Sequence, residues 1–172
     1  MYNLQSKEEI EAWYSKQDPW GYKTNADDLQ RRRIIIDAAM AFCSSPTESY
    51  ERALDIGAGE GFITSYLPAK EIYGYELSET ARSRFPGNVK DAYPRPFGRF
   101  DLVVATGVLY SHYAWKHHFV EMIKEYASGL IILSNIKDWE VPEAVSALPG
   151  KQVYSHEYPY REYIQKLRVF NI

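Results

Sequence analysis

Three glycines at alternate positions constrain this chain more than any other feature. Residues 52–62 read RALDIGAGEGF, so an apolar stretch ending at Ile56 leads directly into Gly57, Gly59 and Gly61. Apolar side chains follow over 62–67 at helical spacing. The pattern predicts a strand, a glycine turn and a helix, an arrangement that presents backbone N–H groups to a ligand. Glycine suits such a turn because it accepts positive φ and has no Cβ to hold a ligand away.

The spacing of these glycines distinguishes several kinds of turn. The dinucleotide fingerprint requires glycine at position 62, where Phe62 stands, and the G-K-[ST] of the P-loop is absent. The pattern present is D-x-G-x-G-x-G from Asp55, which resembles motif I of the class I S-adenosylmethionine-dependent methyltransferases. The resemblance implies that the turn approaches the methionine part of the cofactor and that Asp55 supports the loop and the cofactor's amino group. A glycine-rich turn without a ligand is the alternative.

A second acidic residue strengthens this interpretation. Residues 71–77, EIYGYEL, predict the second strand, and Glu76 stands about 20 positions after the first glycine. The ends of adjacent strands lie side by side, so the Glu76 carboxylate is placed to accept hydrogen bonds from two ribose hydroxyls. The alternative is a solvated carboxylate at a strand end. Both NAD and S-adenosylmethionine carry an adenosine, and the glycine spacing favours S-adenosylmethionine.

The composition limits the other classes of protein. With 172 residues the chain is long enough for one domain, and its net charge of −3 does not indicate a nucleic acid partner. The single cysteine, Cys43, excludes an internal disulfide and is predicted to be a small buried hydrophobe. No apolar stretch resembles a signal peptide or a membrane span. We therefore expect a cytoplasmic protein without a membrane partner.

The region before the glycine turn carries a narrower resemblance. Helices are predicted over 6–15 and 26–43, separated by the DPWGY turn of residues 18–22. With the glycine turn, this order resembles the NodS-like branch of the class I methyltransferases, N-methyltransferases of chitooligosaccharide signal synthesis, over residues from about 11 to 112. The resemblance implies that Trp20 and Arg33 enclose the cofactor, with Arg33 facing its carboxylate. Gln30 departs from the glutamate of related sequences. Trp20 and Tyr22 are otherwise a hydrophobic plug beneath the arm.

The remaining pattern predicts the fold class. Further strands are expected over 89–92, 100–106, 130–134, 151–158 and 163–171. Helices are expected over 62–67, 79–84, 114–127 and 142–148, and Gly129 is expected to stop the helix over 114–127. Residues 44–51 are expected to form a loop. We expect an α/β, Rossmann-like, doubly wound and mostly parallel seven-stranded sheet. The resemblance implies that the last two strands form an antiparallel pair. Residues 1–172 are expected to be a single domain, with 1–43 as a helical arm covering the cofactor and 50–172 as the core.

The resemblance and the strand ends together predict the cofactor site. Asp91, after the third strand, is expected either to contact the adenine amino group or simply to begin a loop. The full predicted set is Trp20, Arg33, Asp55, Ile56, Gly57, Ala58, Gly59, Gly61, Phe62, Glu76, Leu77, Asp91, Ala92, Thr106 and Val108.

The methyl acceptor is expected beyond the carboxyl end of the strand over 100–106. His112 is the first candidate base, because its reference pKa near 6.5 suits proton removal at neutral pH, and Tyr110 is the second. A packed or exposed His112 without a catalytic role is the alternative, since many members of the fold need no base. The substrate is expected to be lined by Tyr22, Tyr110, His112, Asn135 and Trp139. The adjacent histidines His117 and His118 would face different directions on a helix, so they do not form a metal-binding pair and no metal is predicted.

These features predict an S-adenosylmethionine-dependent methyltransferase acting on a small molecule, such as a sugar, an amine or a related metabolite, at nitrogen or oxygen. One alternative is a non-catalytic S-adenosylmethionine-binding module, or a subunit completed by a partner chain; a homodimer is also open. A nucleic acid or protein methyltransferase is a second alternative. The acidic net charge and the absence of N-P-P-[YF] after the fourth strand count against it.

Overall fold

The computed structural model describes residues 6–44 and 49–172, whose strands form one seven-stranded sheet. The strands are β1 (Tyr50–Ile56), β2 (Ala69–Tyr75), β3 (Val89–Asp91), β4 (Phe100–Thr106), β5 (Ala127–Ile136), β6 (Lys151–Tyr160) and β7 (Tyr163–Asn171). Their order is β3-β2-β1-β4-β5-β7-β6. The first five pair in parallel, and β7 runs antiparallel to both β5 and β6. This arrangement confirms the predicted fold class.

Within residues 6–44 and 49–172, five helices accompany the sheet: α1 (Lys7–Trp13), α2 (Ala26–Ala41), α3 (Glu79–Arg82), α4 (Lys116–Tyr126) and α5 (Pro142–Ser146). Single 3-10 turns lie at Thr64–Tyr66 and Lys137–Trp139. The first two helices begin at side chains that accept from unpaired backbone N–H groups. Ser6 caps α1 in a reciprocal capping box with Glu9, and Asn25 accepts from two backbone N–H groups at the start of α2. Within the described ranges, no helix has both the length and the apolar surface needed to cross a bilayer.

The helix predicted over 62–67 is wrong in extent, because only the 3-10 turn forms there. Leu67 has extended backbone angles, φ −60° and ψ 136°. A residue before proline is driven out of the helical region by the ring of that proline, here Pro68. The glycine turn therefore leads into β2 through a short irregular segment.

The predicted role of Gly129 as a helix stop is also wrong. The helix α4 ends at Tyr126 and β5 begins at Ala127, so Gly129 lies inside the strand. A Cβ at Gly129 would stand 2.6 Å from the Asp101 carbonyl oxygen, so glycine here permits close approach to β4. In the loop predicted over 44–51, residues 45–48 lie outside the described ranges, and β1 already begins at Tyr50. Cys43 is partly buried against the core rather than fully enclosed.

The central strands are buried on both faces, as their continuous apolar sequences predict. Alternate residues of β1, β4 and β5 face opposite sides: Leu54, Val103 and Ile131 pack with α4 and α5, whereas Ala53, Leu102 and Ile132 pack with α2. The order of strands reverses between β1 and β4, which lie side by side. A crevice opens at the carboxyl ends of strands at such a point, and ligands of α/β proteins bind there.

Residues 6–24, the described first part of the N-terminal arm, are tied to this end of the sheet. Glu11 in α1 accepts from the backbone N–H of Thr80 at 3.1 Å. The Asp18 backbone N–H donates to both oxygens of Glu60, at 3.0 and 3.1 Å. The Arg84 guanidinium donates to the Glu60 carboxylate at 2.7 Å and to two carbonyl oxygens of the arm at 3.0 Å. These bonds hold the arm beside the glycine turn.

Candidate functional site

The glycine turn joins the ends of β1 and β2. Gly57, Gly59 and Gly61 have φ values of +77°, +57° and +83°. The N–H groups of Gly57 and Ala58 donate to the Tyr75 carbonyl oxygen at 2.8 and 3.1 Å. A Cβ on Gly57 would lie 2.3 Å from Cγ1 of Val108, which follows β4. Both the backbone angle and the available space therefore require glycine at this position.

Glu76 reaches the same turn from the end of β2. Its Oε2 accepts from the Gly59 N–H at 2.9 Å, and its Oε1 accepts from the Ser78 N–H at 3.0 Å. The residue is 6% exposed. Burial raises the pKa of Glu76, and the backbone N–H donors oppose that rise. Each carboxylate oxygen has a second lone pair, so Glu76 keeps the capacity to accept from a ligand.

Asp55, the penultimate residue of β1, is the second buried carboxyl group. The Thr64 hydroxyl donates to Asp55 Oδ2 at 2.6 Å. Asp55 Oδ1 is buried and has no hydrogen-bond partner in the protein. Burial raises the pKa of Asp55 to about 7. An unpartnered buried oxygen is costly, and a ligand that donates to it would remove that cost.

Glu76 and Asp55 line one cavity beneath the N-terminal arm. The volume of the cavity, taken as the space open to the centre of a water molecule, is about 110 Å³. Its walls combine the strand ends with aromatic side chains of the arm, and its charged groups include Arg31 besides the two carboxyl groups. Of the residues predicted to hold a cofactor, ten lie on its walls: Trp20, Asp55, Gly57, Ala58, Gly59, Phe62, Glu76, Leu77, Thr106 and Val108.

The predicted position of Arg33 is wrong. Arg33 is exposed and does not line the cavity, whereas Arg31 lines it and is 4% exposed. Residues two apart on a helix point about 200° away from each other, so only one of the two can face the site. The Arg31 guanidinium lies 4.8 Å from the centre of the Tyr22 ring and forms an ion pair with Asp28 at 3.2 Å. Arg31 Nε is buried without a partner.

Four other predicted cofactor residues also lie outside the cavity walls. Asp91 is exposed and accepts from Arg82 Nε at 3.1 Å and from the Tyr93 N–H at 2.8 Å, which corresponds to the loop-initiating alternative. Ile56 and Ala92 are packed in the core. Gly61 lies next to Pro86, and a Cβ added at Gly61 would stand only 2.8 Å from the proline ring. These four residues shape the turn and the sheet behind the cavity.

A second and larger cavity adjoins the first. Its volume, taken as the space open to the centre of a water molecule, is about 890 Å³. Six residues line both cavities: Trp13, Trp20, Tyr22, Arg31, Gly107 and Tyr113. The residues predicted to line the substrate that reach this cavity are Tyr22, Tyr110, His112 and Trp139. Asn135 does not line it: its side chain is buried and donates to Glu140 at 3.1 Å, which corrects that prediction.

The two candidate bases differ in their surroundings. Tyr110 Oη accepts from the Ile136 N–H at 3.0 Å, and burial raises its pKa, so this hydroxyl is a positioning group rather than a base at neutral pH. Burial and the nearby Lys116 lower the pKa of His112. His112 is therefore neutral at pH 7 and has the protonation state that a proton acceptor requires.

No metal site is formed by the described ranges, where no three histidine, cysteine or acidic side chains come together. His118 Nε2 lies 3.1 Å from the Tyr75 hydroxyl. This contact gives the histidine a packing role on α4.

Solved structures establish what kind of fold this is. The N-methyltransferase NodS from Bradyrhizobium japonicum WM9 superposes with a TM-score of 0.67 at 14% identity, covering 86% of this chain and 97% of that one. Magnesium protoporphyrin IX methyltransferase from Synechocystis PCC 6803 with bound SAM superposes with a TM-score of 0.69 at 13% identity, over 100% of both chains. The chain has the class I methyltransferase fold. No protein-family model and no curated protein sequence matches it.

The class I methyltransferase fold places the two cavities where this fold binds ligands, at the switch between β1 and β4. The main residue that sequence reasoning missed there is Arg31. Its signal was the spacing of Asp28 and Arg31 at i and i+3 on α2, which allows the arginine to pair with a buried carboxylate. The arm also contributes Trp13 and Tyr14, whose side chains line the first cavity.

Proposed function

We propose that this protein is an S-adenosylmethionine-dependent methyltransferase acting on a small molecule. One observation carries the proposal. Two buried carboxyl groups, Asp55 and Glu76, flank a glycine turn on the wall of a single cavity, and Asp55 keeps one oxygen without a partner. S-adenosylmethionine has a donor for each group, an ammonium at one end and ribose hydroxyls at the other.

The residues present fit this cofactor. Asp55 Oδ1 would accept from the ammonium, and Glu76 would accept from the ribose hydroxyls. The turn at Gly57 leaves no side chain between the backbone and the ligand. Arg31, with its unpartnered Nε, would donate to the cofactor's carboxylate. The net positive charge of the cofactor also complements the two buried carboxyl groups of this cavity. The fold of a neighbour solved with bound SAM supports the same choice.

The chemistry follows from the arrangement of the two cavities. When bound, the cofactor supplies a methyl group on a positively charged sulfur, and an acceptor nitrogen or oxygen attacks the methyl carbon in line with the departing sulfur. The chain orients the acceptor in the second cavity and excludes water with the aromatic arm. Neutral His112 lies on that cavity and would take the acceptor's proton. Tyr110 fixes the backbone at Ile136 and so holds the wall in place.

A small acceptor is supported by the net charge of −3, which does not favour binding to nucleic acid. The structures compared above are an N-methyltransferase and a magnesium protoporphyrin IX methyltransferase. Their shared fold alone therefore does not select a methyl acceptor for this chain. Both nitrogen and oxygen acceptors remain within the proposal.

Titration calorimetry with S-adenosylhomocysteine tests the cofactor directly. We expect the wild type to bind and Glu76→Ala to bind roughly 10- to 100-fold more weakly, because ribose hydroxyls lose a charged acceptor. Glu51→Ala is the matched control, since Glu51 is exposed and pairs with Lys70 on the opposite end of the sheet. No binding at millimolar ligand by folded protein, or equal affinity for wild type and Glu76→Ala, would contradict the proposal.

A further inference from the structure

The walls of the second cavity are unusually rich in aromatic rings. Eight of the side chains that line it are aromatic and a ninth is histidine: Trp13, Trp20, Tyr22, Tyr110, His112, Tyr113, Trp139, Tyr160 and Tyr163. Three of them, Trp13, Trp20 and Tyr22, belong to the arm, and the others follow the strands at the carboxyl end of the sheet or lie in the hairpin of β6 and β7.

The rings on the sheet side form a continuous packed wall. Tyr110 stacks on Tyr113 with centroids 5.8 Å apart, and Trp139 meets the edge of Tyr110 at 5.4 Å. Trp139 also packs on Tyr163 at 4.8 Å and on His112 at 5.2 Å. Each ring is held by at least one neighbour, so the wall is rigid and offers flat surfaces without a large entropic cost on binding.

The rings of the arm form a second packed group on this cavity. Trp13 and Trp20 are 5.1 Å apart, and Trp20 stacks on Tyr22 at 6.3 Å with an interplanar angle of 15°. The Asp18 carboxylate accepts from the Tyr22 N–H at 2.8 Å, which fixes the turn that carries these rings. Two packed groups of rings that line one cavity suit a flat molecule that stacks on them.

Charged side chains are a minority of the residues that line this cavity. Its two carboxylates, Glu9 and Glu162, are exposed, and its buried charged group is Arg31. Among the residues that line the cavity there is no buried carboxylate to pair with a cationic amine. The buried Asp28 carboxylate already pairs with Arg31 at 3.2 Å and with Arg161 at 2.6 Å.

We propose that the methyl acceptor is a neutral, planar aromatic molecule with a hydroxyl or amino group, held between the arm and the wall around Trp139. The inference rests on the proposed function for its methyl transfer, but the binding of a flat ring does not. In the transfer, the acceptor oxygen or nitrogen bonds to the methyl carbon while the carbon–sulfur bond breaks with its electron pair left on sulfur. The acceptor's proton passes to His112 or to water.

Binding of three probes tests the proposal: 2-naphthol, its saturated counterpart decahydro-2-naphthol, and glucosamine. Each is titrated into the full chain by calorimetry, with and without S-adenosylhomocysteine. We expect 2-naphthol to bind roughly three- to tenfold more tightly than decahydro-2-naphthol, the range given by aromatic contacts beyond area burial, and glucosamine not to bind. Equal affinities for the two naphthol probes, or tighter binding of glucosamine, would overturn the proposal.

Substitutions locate the bound ring. Trp139→Leu and, independently, Tyr163→Leu should reduce 2-naphthol affinity at least threefold and leave S-adenosylhomocysteine affinity unchanged, because neither residue lines the first cavity. Phe97→Leu, at a residue 90% exposed and on neither cavity, is the control and should bind as wild type. If both folded variants bind 2-naphthol as wild type does, the proposed location is wrong. If 2-naphthol binds as expected but S-adenosylhomocysteine does not, the proposed function fails and the aromatic site stands.

Discussion

At the scale of single residues, Asp55 connects the physical state of the protein with its proposed cofactor. The sequence predicted this carboxylate from its place before the glycines, but not its protonation. Burial in the described structure raises the pKa of Asp55 to about 7, and one of its oxygens has no partner. A ligand ammonium at that oxygen would favour the charged carboxylate and lower this pKa on binding.

The affinity for S-adenosylhomocysteine should therefore depend on pH. Below pH 7 the free protein holds a proton on Asp55 that binding must release, so affinity should fall as pH falls, by up to about tenfold per unit between pH 7 and pH 5.5. Asp55→Asn should bind more weakly at pH 7.5 and should lose this part of the dependence. Calorimetry across that range measures both. An identical pH profile in wild type and Asp55→Asn would show that Asp55 does not meet the ammonium.

At the scale of elements, the glycine turn was the most predictable part of the chain, because its requirement is local. Backbone angles and close contacts are written into three glycine positions. The extent of neighbouring elements was less predictable. Whether residues 62–67 form a helix depends on Pro68 and on where β2 starts, and the place of Gly129 depends on contact with the distant Asp101. Contacts between distant residues are absent from local patterns.

The turn itself gives a prediction with a matched control. Gly57→Ala should lower the free energy of unfolding by about 1–3 kcal/mol, because φ is +77° and the added Cβ would lie 2.3 Å from Val108 Cγ1. It should also weaken S-adenosylhomocysteine binding. Gly87→Ala, with nothing within 4 Å of an added Cβ, should stay within about 0.5 kcal/mol of wild type. Urea unfolding compares the two, and equal midpoints would contradict the account of the turn.

At the scale of the whole molecule, the arm and the sheet together line both cavities. The strand order and the carboxyl-end crevice were predictable from alternating strands and helices. The choice of Arg31 over Arg33 was not, since it depends on the rotation of α2 against β6 and β7, where Tyr160 donates to Asp28 at 2.7 Å. The chain is 15% aromatic, but only the fold brings nine of its ring-bearing side chains, one of them a histidine, to a single cavity.

A crystal structure of the full chain with S-adenosylhomocysteine tests the central claim most directly. The account predicts that the ligand spans the first cavity, with its ammonium within hydrogen-bond distance of Asp55 Oδ1 and its ribose hydroxyls at Glu76. The arm should cover it through Trp20, and Arg31 should meet its carboxylate. A ligand bound elsewhere, or one whose ribose and ammonium contact neither carboxyl group, would contradict the account.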